Sequence, residues 1–406
     1  MAKELQRPVR ETVTPAVLQK VVWAGANLRS FPQAVDALQE LAGIELSAKQ
    51  VRRMTEQVGQ DRLDERKRQV VEFKDKPLME RLESPAGVES PEVGVVMMDG
   101  GRYQRRDHFG EEDYDGSHWK EDKVGIVLRL HSDVSDCDPH PEFPAWLAHA
   151  DVVAQIASLG AMDEEQASRS DEYSSSSEAS ASSGAWDQLS PGLLWREVIA
   201  SSECGDDFGH HLEFAAWQNG LVAAPRMAFV ADGASVNWTI HRQHFSQMTG
   251  ILDLMHALSY AWKAAKSQED PASYRRYARW IWQGEVSQVI EELESLHSRQ
   301  EETSPDASVD DSIDRAITYF TNHQHLMDYP AYRKSGLPLT SSHIESTIKQ
   351  INIRIKGSEK FFRHDTGETL LQLRADSISD SRPLNQFWPR WLSQQNGANT
   401  YRTQSA

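Results

Sequence analysis

Three acidic residues have the types and settings to do chemistry in this chain: Asp99 in VGVVMMDGGR, Asp232 in MAFVADGAS and Glu345 in LTSSHIESTIKQ. Carboxylates are hard oxygen ligands suited to Mg²⁺, which takes octahedral oxygen coordination and keeps several waters. Three of them brought together from distant segments could hold two ions about 3.5–4 Å apart. One ion would activate an attacking water or 3′-hydroxyl and the other would stabilise the leaving oxygen of a phosphodiester. In this reading Asp99 bridges both ions, Asp232 binds one and Glu345 the other. Glu345 also lies three residues after Ser342, the spacing of a capping box, so a purely structural role for it is open.

The elements around these residues suit such a convergence. Val93, Val95, Val96, Met97 and Met98 read as a buried strand, and Met227 to Ala231 as another. Each run meets Asp-Gly, where a sharp turn is expected to leave the carboxylate at the end of the sheet. Thr340, Ser341 and Ser342 offer caps for a helix carrying Glu345. About 110 residues separate Asp232 from Glu345, too many for a simple connection, so a helical subdomain is expected between them. KVGIVLRLHS reads as a further strand, LSPGLLWREVIASS as helical or mixed, WTIHRQHF as helix, and GILDLMHALSYAWKAAK as a short strand entering an amphipathic helix. RQEETSPDASVDDS reads as a polar loop.

Upstream, Phe31, Val35, Leu38 and Leu41 have helical spacing and stop at Gly43; Ser47 can cap a second helix with Val51, Met54 and Val58, stopped by Gly59. Two helices about a glycine-containing turn form a helix-turn-helix candidate, displaying Lys49, Arg52 and Arg53 towards phosphates or bases; a plain helical hairpin is the alternative. DRLDERKRQVVEFKDK reads as a separate charged linking helix. Arg102 after Asp99, and Lys349, Arg354 and Lys356 after Glu345, are further candidates for contact with a DNA backbone.

At 406 residues the chain is expected to form two or three units. A net charge of −18 argues against a polyanion partner, but residues 111–214 hold 23 acidic against 5 basic residues, which accounts for the imbalance. That stretch includes AMDEEQASRSDEYSSSSEASASSGAWDQ, whose composition is that of a disordered surface insertion. No apolar run approaches the ~20 residues of a membrane span and the N-terminus lacks a signal-peptide core, so a cytoplasmic location is expected. Cys137 and Cys204 form no CxxC pair. Walker, dinucleotide-fingerprint and GxSxG motifs are absent from the sequence. Asp253 and His256, spaced i and i+3, could bind metal, orient DNA or share a structural hydrogen bond, while His210 and His211, with Glu213 near, have no partner at zinc spacing. Trp262, Trp280, Trp282, Trp388 and Trp391 could stack on bases or fill a core.

DGGR at Asp99, ADGAS, LDLMHA and YPAYRKSGLPLTSSHIESTIKQINIRIKGSEKFF together resemble ISKra-type insertion-sequence transposases of the DDE superfamily, over about residues 31–388. The resemblance implies an α/β, ribonuclease-H-like mixed sheet with helices on both faces, an N-terminal helix-turn-helix-like unit and an α-helical insertion before the last catalytic acid. It implies Asp99, Asp232 and Glu345 as catalytic triad and metal ligands, with Asp253 and His256 supporting them. Two Mg²⁺ ions, replaceable by Mn²⁺, are the expected cofactors, and double-stranded DNA, both transposon ends and target, the expected partner. Pairing two ends implies a homodimer or larger assembly on DNA, without a membrane partner. The expected division is 1–90 DNA-binding, 91–255 core with an acidic insertion at about 132–190, 256–338 helical insertion and 339–406 final core helix and tail. One departure is Ser342, which stands where the family has glycine. A non-catalytic DNA-binding derivative and a stand-alone nuclease of the same fold are the alternative functions.

Overall fold

The structure is a computed structural model and describes residues 13–107, 118–149, 152–154, 156, 191–268, 271–303, 311–357 and 359–394. Three helices lead: α1 (Pro15–Asn27), α2 (Phe31–Ala42) and α3 (Ala48–Lys74). Each begins on a side-chain cap, from Thr14, Ser30 and Ser47, and Ser47 forms a full capping box with Gln50. Gly43 ends α2 at φ 60°, a left-handed conformation that glycine adopts without a Cβ penalty. After a short helix, α4 (Leu78–Arg81), come strands β1 (Val93–Arg105), β2 (Trp119–His131) and β3 (Gly192–Ser201), then α5 (Gly205–Gln218), β4 (Arg226–Ala231), α6 (Ser235–His244) and β5 (Thr249–Leu252). Helices α7 (Leu254–Ser267), α8 (Pro271–Trp282), α9 (Val286–Thr303), α10 (Asp311–His323) and α11 (Tyr329–Lys334) fill the long gap before α12 (Ser342–Ile355), which bears Glu345. A two-residue strand, β6 (Phe361–Phe362), precedes helices α13 (His364–Ile378) and α14 (Pro383–Gln394).

The sheet is mixed, in the order β3-β2-β1-β4-β5, with β6 added beside the end of β1. β1, β2 and β3 are antiparallel neighbours, whereas β4 and β5 run parallel to β1. Val95, Val96, Met97 and Met98 are consecutive and all buried, so β1 is covered on both faces, as a central strand must be. Helices therefore layer both sides of this α/β fold. Tyr329 and Tyr332 of α11 donate hydrogen bonds to the backbone carbonyls of Leu252 (3.0 Å) and Gly250 (3.2 Å), tying the end of the helical insertion to β5. Among the described residues, no helix is long and apolar enough to cross a membrane.

A second core joins the two ends of the chain. Leu18, Val21, Val22, Leu38, Val51, Met54 and Val58 pack with Leu373 of α13 and with Phe387, Trp388 and Trp391 of α14. Deeper along α3, Arg62 pairs with Asp376 (2.9 Å) and Arg66 with Glu368 (3.5 Å) inside the protein. The first helices are thus seated on the last ones rather than standing apart.

Several sequence expectations are corrected. Gly59 does not stop α3, which runs on as one helix to Lys74; a Cβ there would lie 2.6 Å from the Thr369 Cβ, so the glycine serves close helix packing. Residues 192–201 are strand, not helix, paired along β2. β1 does not end at Asp99 but continues to Arg105, and neither Gly100 nor Gly233 has a positive φ. Residues 132–149 are folded onto the core, with Leu147 buried, the Trp282 indole donating to the His140 carbonyl (2.8 Å) and Arg333 gripping Asp138 (2.9 Å from Nε). The Ser-rich tract, 161–188, lies outside the described residues. Trp282, Trp388 and Trp391 are core residues, and Arg333 stacks on Trp282 with its guanidinium carbon 4.1 Å from the ring centre.

Candidate active site

Strand register aligns the acids. Parallel pairing of β1 with β4 ends at Met97 opposite Val230, and two residues further on stand Asp99 and Asp232. Pairing of β4 with β5 ends at Ala231 opposite Leu252, and one residue further on stand Asp232 and Asp253. Three acids carried by three neighbouring strands therefore stand at one level. Beyond Met97, β1 stays paired with β2, where Asp99 faces Val124, but has lost its β4 neighbour. Asp99 thus sits on a firmly held strand that is open on the side towards Asp232.

Asp99 carries the clearest electrostatic mark. Burial first, and the Asp232 carboxylate second, push its carboxyl up to about 7; Glu345 adds to the push, while His256 and the Gly100 N–H oppose it. The Gly100 N–H reaches Asp99 Oδ1 at 2.6 Å. These influences place Asp232, Glu345 and His256 in the electrostatic neighbourhood of Asp99 although the four come from separate segments. A carboxyl raised by neighbouring carboxylates is relieved by a cation.

Asp232 is held by the turn and helix after it. Its Oδ1 accepts hydrogen bonds from the Ala234 N–H (2.9 Å) and from Asn237 Nδ2 (2.7 Å), and its carbonyl accepts one from the Trp238 indole (2.8 Å). Among the described residues Oδ2 has no donor, which leaves an oxygen for a ligand role. Gly233 is required by packing: a Cβ there would lie 2.4 Å from a ring carbon of Tyr319 on α10, so the insertion reaches the rim of the site. Asn237 and Tyr319 were not singled out in the sequence. An amide five residues after the aspartate, in DGASVN, was a signal for the first, and Tyr319 had none.

Asp253 is used differently. It is fully buried and its oxygens are occupied. Oδ1 accepts from the His256 N–H (2.9 Å) and lies 3.2 Å from His256 Nδ1, and Oδ2 accepts the Ser341 N–H at 2.5 Å. Burial alone would raise its carboxyl, but His256 and Ser341 together hold it below the ordinary range. Asp253 therefore positions other groups. It caps α7, fixes His256 beside Asp99 and anchors the residue that starts α12.

Glu345 lies in the first turn of α12, half-buried. The alternative capping box with Ser342 is not formed: Ser341 is the capping residue, it makes no side-chain cap bond, and Glu345 is one position too far along. Burial, then the Asp253 carboxylate, raise the Glu345 carboxyl, opposed by His256 and Lys349.

The donors at this place are oxygens from Asp99, Asp232 and Glu345, which fits a hard divalent cation. They are not collapsed into one cage; among the described residues, only Asp206, His210 and His244 bring ligand atoms to within 4.8 Å of one another as a set of three. Ligands of two ions about 4 Å apart, each about 2 Å from its ligands, would stand wider apart than those of a single ion.

The candidate DNA contacts divide. Lys49, Arg53, Arg102, Lys349 and Lys356 are exposed, while Arg52 is half-buried and lies 3.5 Å from Glu56. Arg354 is not on the surface. It is 2% exposed, donates from Nε to the Gly25 carbonyl (2.8 Å) and lies over the Phe31 ring at 4.4 Å, and burial lowers its guanidinium to about 10. It links α12 to the first two helices and is withdrawn as a DNA contact.

The chain matches no protein-family model and no curated protein.

Proposed function

We propose that the protein is a DNA transposase that cleaves insertion-sequence ends and joins them to target DNA, with a ribonuclease-H-like catalytic core. The observation that carries this reading is the common level of Asp99 and Asp232 on adjacent parallel strands, with Glu345 close enough to shift the Asp99 carboxyl. The mixed sheet, the first acid on its central strand and a helical insertion before the third acid all support the core assignment.

In this function Asp99, Asp232 and Glu345 would hold two Mg²⁺ ions, which when bound would supply activation of the attacking water or 3′-hydroxyl and stabilisation of the leaving oxygen. Asp99 would serve as a ligand from the strand, where β2 fixes its backbone. Asn237 orients Asp232, and Asp253 keeps His256 and the start of α12 in place. Lys49, Arg53, Arg102, Lys349 and Lys356 are exposed and are the proposed contacts to phosphates. Since two transposon ends must be paired, the acting form is a homodimer or larger.

The test uses purified protein and linear DNA bearing the inverted repeats that flank its gene. Mg²⁺-dependent nicking at the repeat ends, followed by strand joining, is the expected result, with Mn²⁺ as a working substitute. Asp99→Asn abolishes both steps and keeps end binding. Full cleavage by that variant overturns the assignment; nicking without joining would make the protein a nuclease, and binding without nicking a DNA-binding derivative.

A further inference from the structure

On the far side of α6 from Asp232 lies a second group of metal-type ligands. His210 of α5 and His244 at the end of α6 meet edge to face, with ring centres 4.6 Å apart. Asp206, one turn before His210, places Oδ1 3.3 Å from His244 Nε2 and Oδ2 3.7 Å from His210 Nε2. Glu213, one turn after His210, places Oε2 3.4 Å from His210 Nδ1 and 3.2 Å from His244 Nδ1. Each imidazole therefore has a carboxylate at both ring nitrogens.

A neutral imidazole carries one N–H. With Nδ1–H donated to Glu213, Nε2 of each ring is a lone pair facing the Asp206 carboxylate, which is itself an acceptor. That tautomer sets two acceptors 3.3 Å apart, a contact that either a further proton or a metal cation between them would satisfy. Glu213 is meanwhile suited to fix both tautomers, the role that a carboxylate behind a ligating histidine plays in metal sites, and Arg81 Nη1 lies 3.8 Å from its other oxygen. The 3.3 Å separation is what two ligands about 2.0–2.1 Å from one ion subtend at a tetrahedral angle. Gly209 supplies an independent sign of a built site: a Cβ there would lie 2.4 Å from His244 Nε2, so the close approach of that ring depends on glycine. His244 is nearly buried at 4% side-chain exposure, whereas Asp206, at 63%, leaves a way in.

We propose that Asp206, His210 and His244 form a Zn²⁺ site. Two imidazoles and one carboxylate are a borderline donor set that favours zinc over magnesium, with a fourth position open to water. The site clamps α5 to α6, about 13 Å along α6 from the end that positions Asp232. It is separate from the carboxylates of the proposed active site.

The experiment titrates metal-free full-length protein with Zn²⁺ at pH 7.5 against a chromophoric chelator, and records melting temperature with and without Zn²⁺. The native chain is expected to bind one equivalent more than Asp206→Asn, and to gain a melting shift that this variant lacks. Circular dichroism checks that the variant is folded, which the exposure of Asp206 favours. His244→Gln is the second variant and loses the same equivalent. Asp99→Asn retains it, which separates this site from the proposed active site. Equal zinc stoichiometry in native and Asp206→Asn proteins overturns the proposal, as does a Mg²⁺-induced shift of the same size that Asp206→Asn abolishes.

Discussion

Asp253 accepts the backbone N–H of Ser341, 88 positions further along the chain, at 2.5 Å. One buried carboxylate thereby joins the end of β5 to the start of the helix that carries Glu345. The entire helical insertion is looped out between the two partners.

Replacing Asp253 with asparagine should damage folding before it damages chemistry. The amide can accept one bond but presents N–H to the other donor, leaving a buried N–H or the His256 ring unmatched. A loss of about 2–4 kcal/mol in urea unfolding is expected. Asp232→Asn, half-buried at the rim, should cost under about 1 kcal/mol yet lower Mg²⁺-dependent cleavage at least 100-fold. Reversal of these two patterns would exchange the roles of Asp232 and Asp253.

Metal-free protein should lose stability as pH rises. The Asp99 carboxyl, raised to about 7 chiefly by burial and then by Asp232, keeps its proton in the folded state where the unfolded chain has released it near 4. Its contribution is full below about 4 and is lost as pH passes through about 7. Asp122 and Glu197 are also pushed up to about 7 by burial, so the quantity to measure is the difference between native protein and Asp99→Asn. The variant should show a flatter melting profile between pH 5 and 8. Mg²⁺ at pH 8 should raise the melting temperature of the native protein alone.

Basic residues should separate by burial. Lys49→Ala, Arg53→Ala, Lys349→Ala and Lys356→Ala should each weaken DNA binding and reduce the salt dependence of the association constant by about one contact. Arg354→Met should leave that slope unchanged. It replaces a buried cation with an apolar chain of similar reach, so stability should shift by no more than about 1–2 kcal/mol. A fall in salt slope for Arg354→Met would put the residue back on the DNA.

Gly59→Ala sets two effects against each other. Alanine favours helix by about 1 kcal/mol over glycine, while its Cβ would collide with Thr369 at 2.6 Å, and overpacking costs about 1–3 kcal/mol. The clash should win and the variant should be less stable. Adding Thr369→Ser, which removes the methyl but keeps the hydroxyl, should recover part of the loss.

Local signals were readable and distant partners were not. Val95 to Met98 announced a buried strand, and Ser47 announced a helix start, because the physics lies within a few residues. Arg354 resembled its exposed neighbours Lys349 and Lys356 because Gly25 and Phe31, which bury it, come from the other end of the chain. Leu193 and Leu194 of β3 are exposed on an edge strand, so the run lacked the alternation that marks a half-buried strand. His210 looked partnerless because His244 belongs to a different helix, and Gly59 looked like a stop because Thr369 was invisible. The level shared by Asp99 and Asp232 comes from strand register, which no spacing within either segment encodes.

The unbroken helix α3 has a mechanical consequence. Its 27 residues span about 40 Å, from the exposed Lys49 and Arg53 at one end, past arginines locked into α13, to Lys74. Such a rod works as a ruler. Whatever the basic tip grips is held at a fixed stand-off and azimuth from the sheet, about the length of a dozen stacked base pairs, with no hinge to absorb error. Inserting a single residue into α3 would turn that tip by about 100°, so the spacing between the bound sequence and the cut position should be written into the length of this helix.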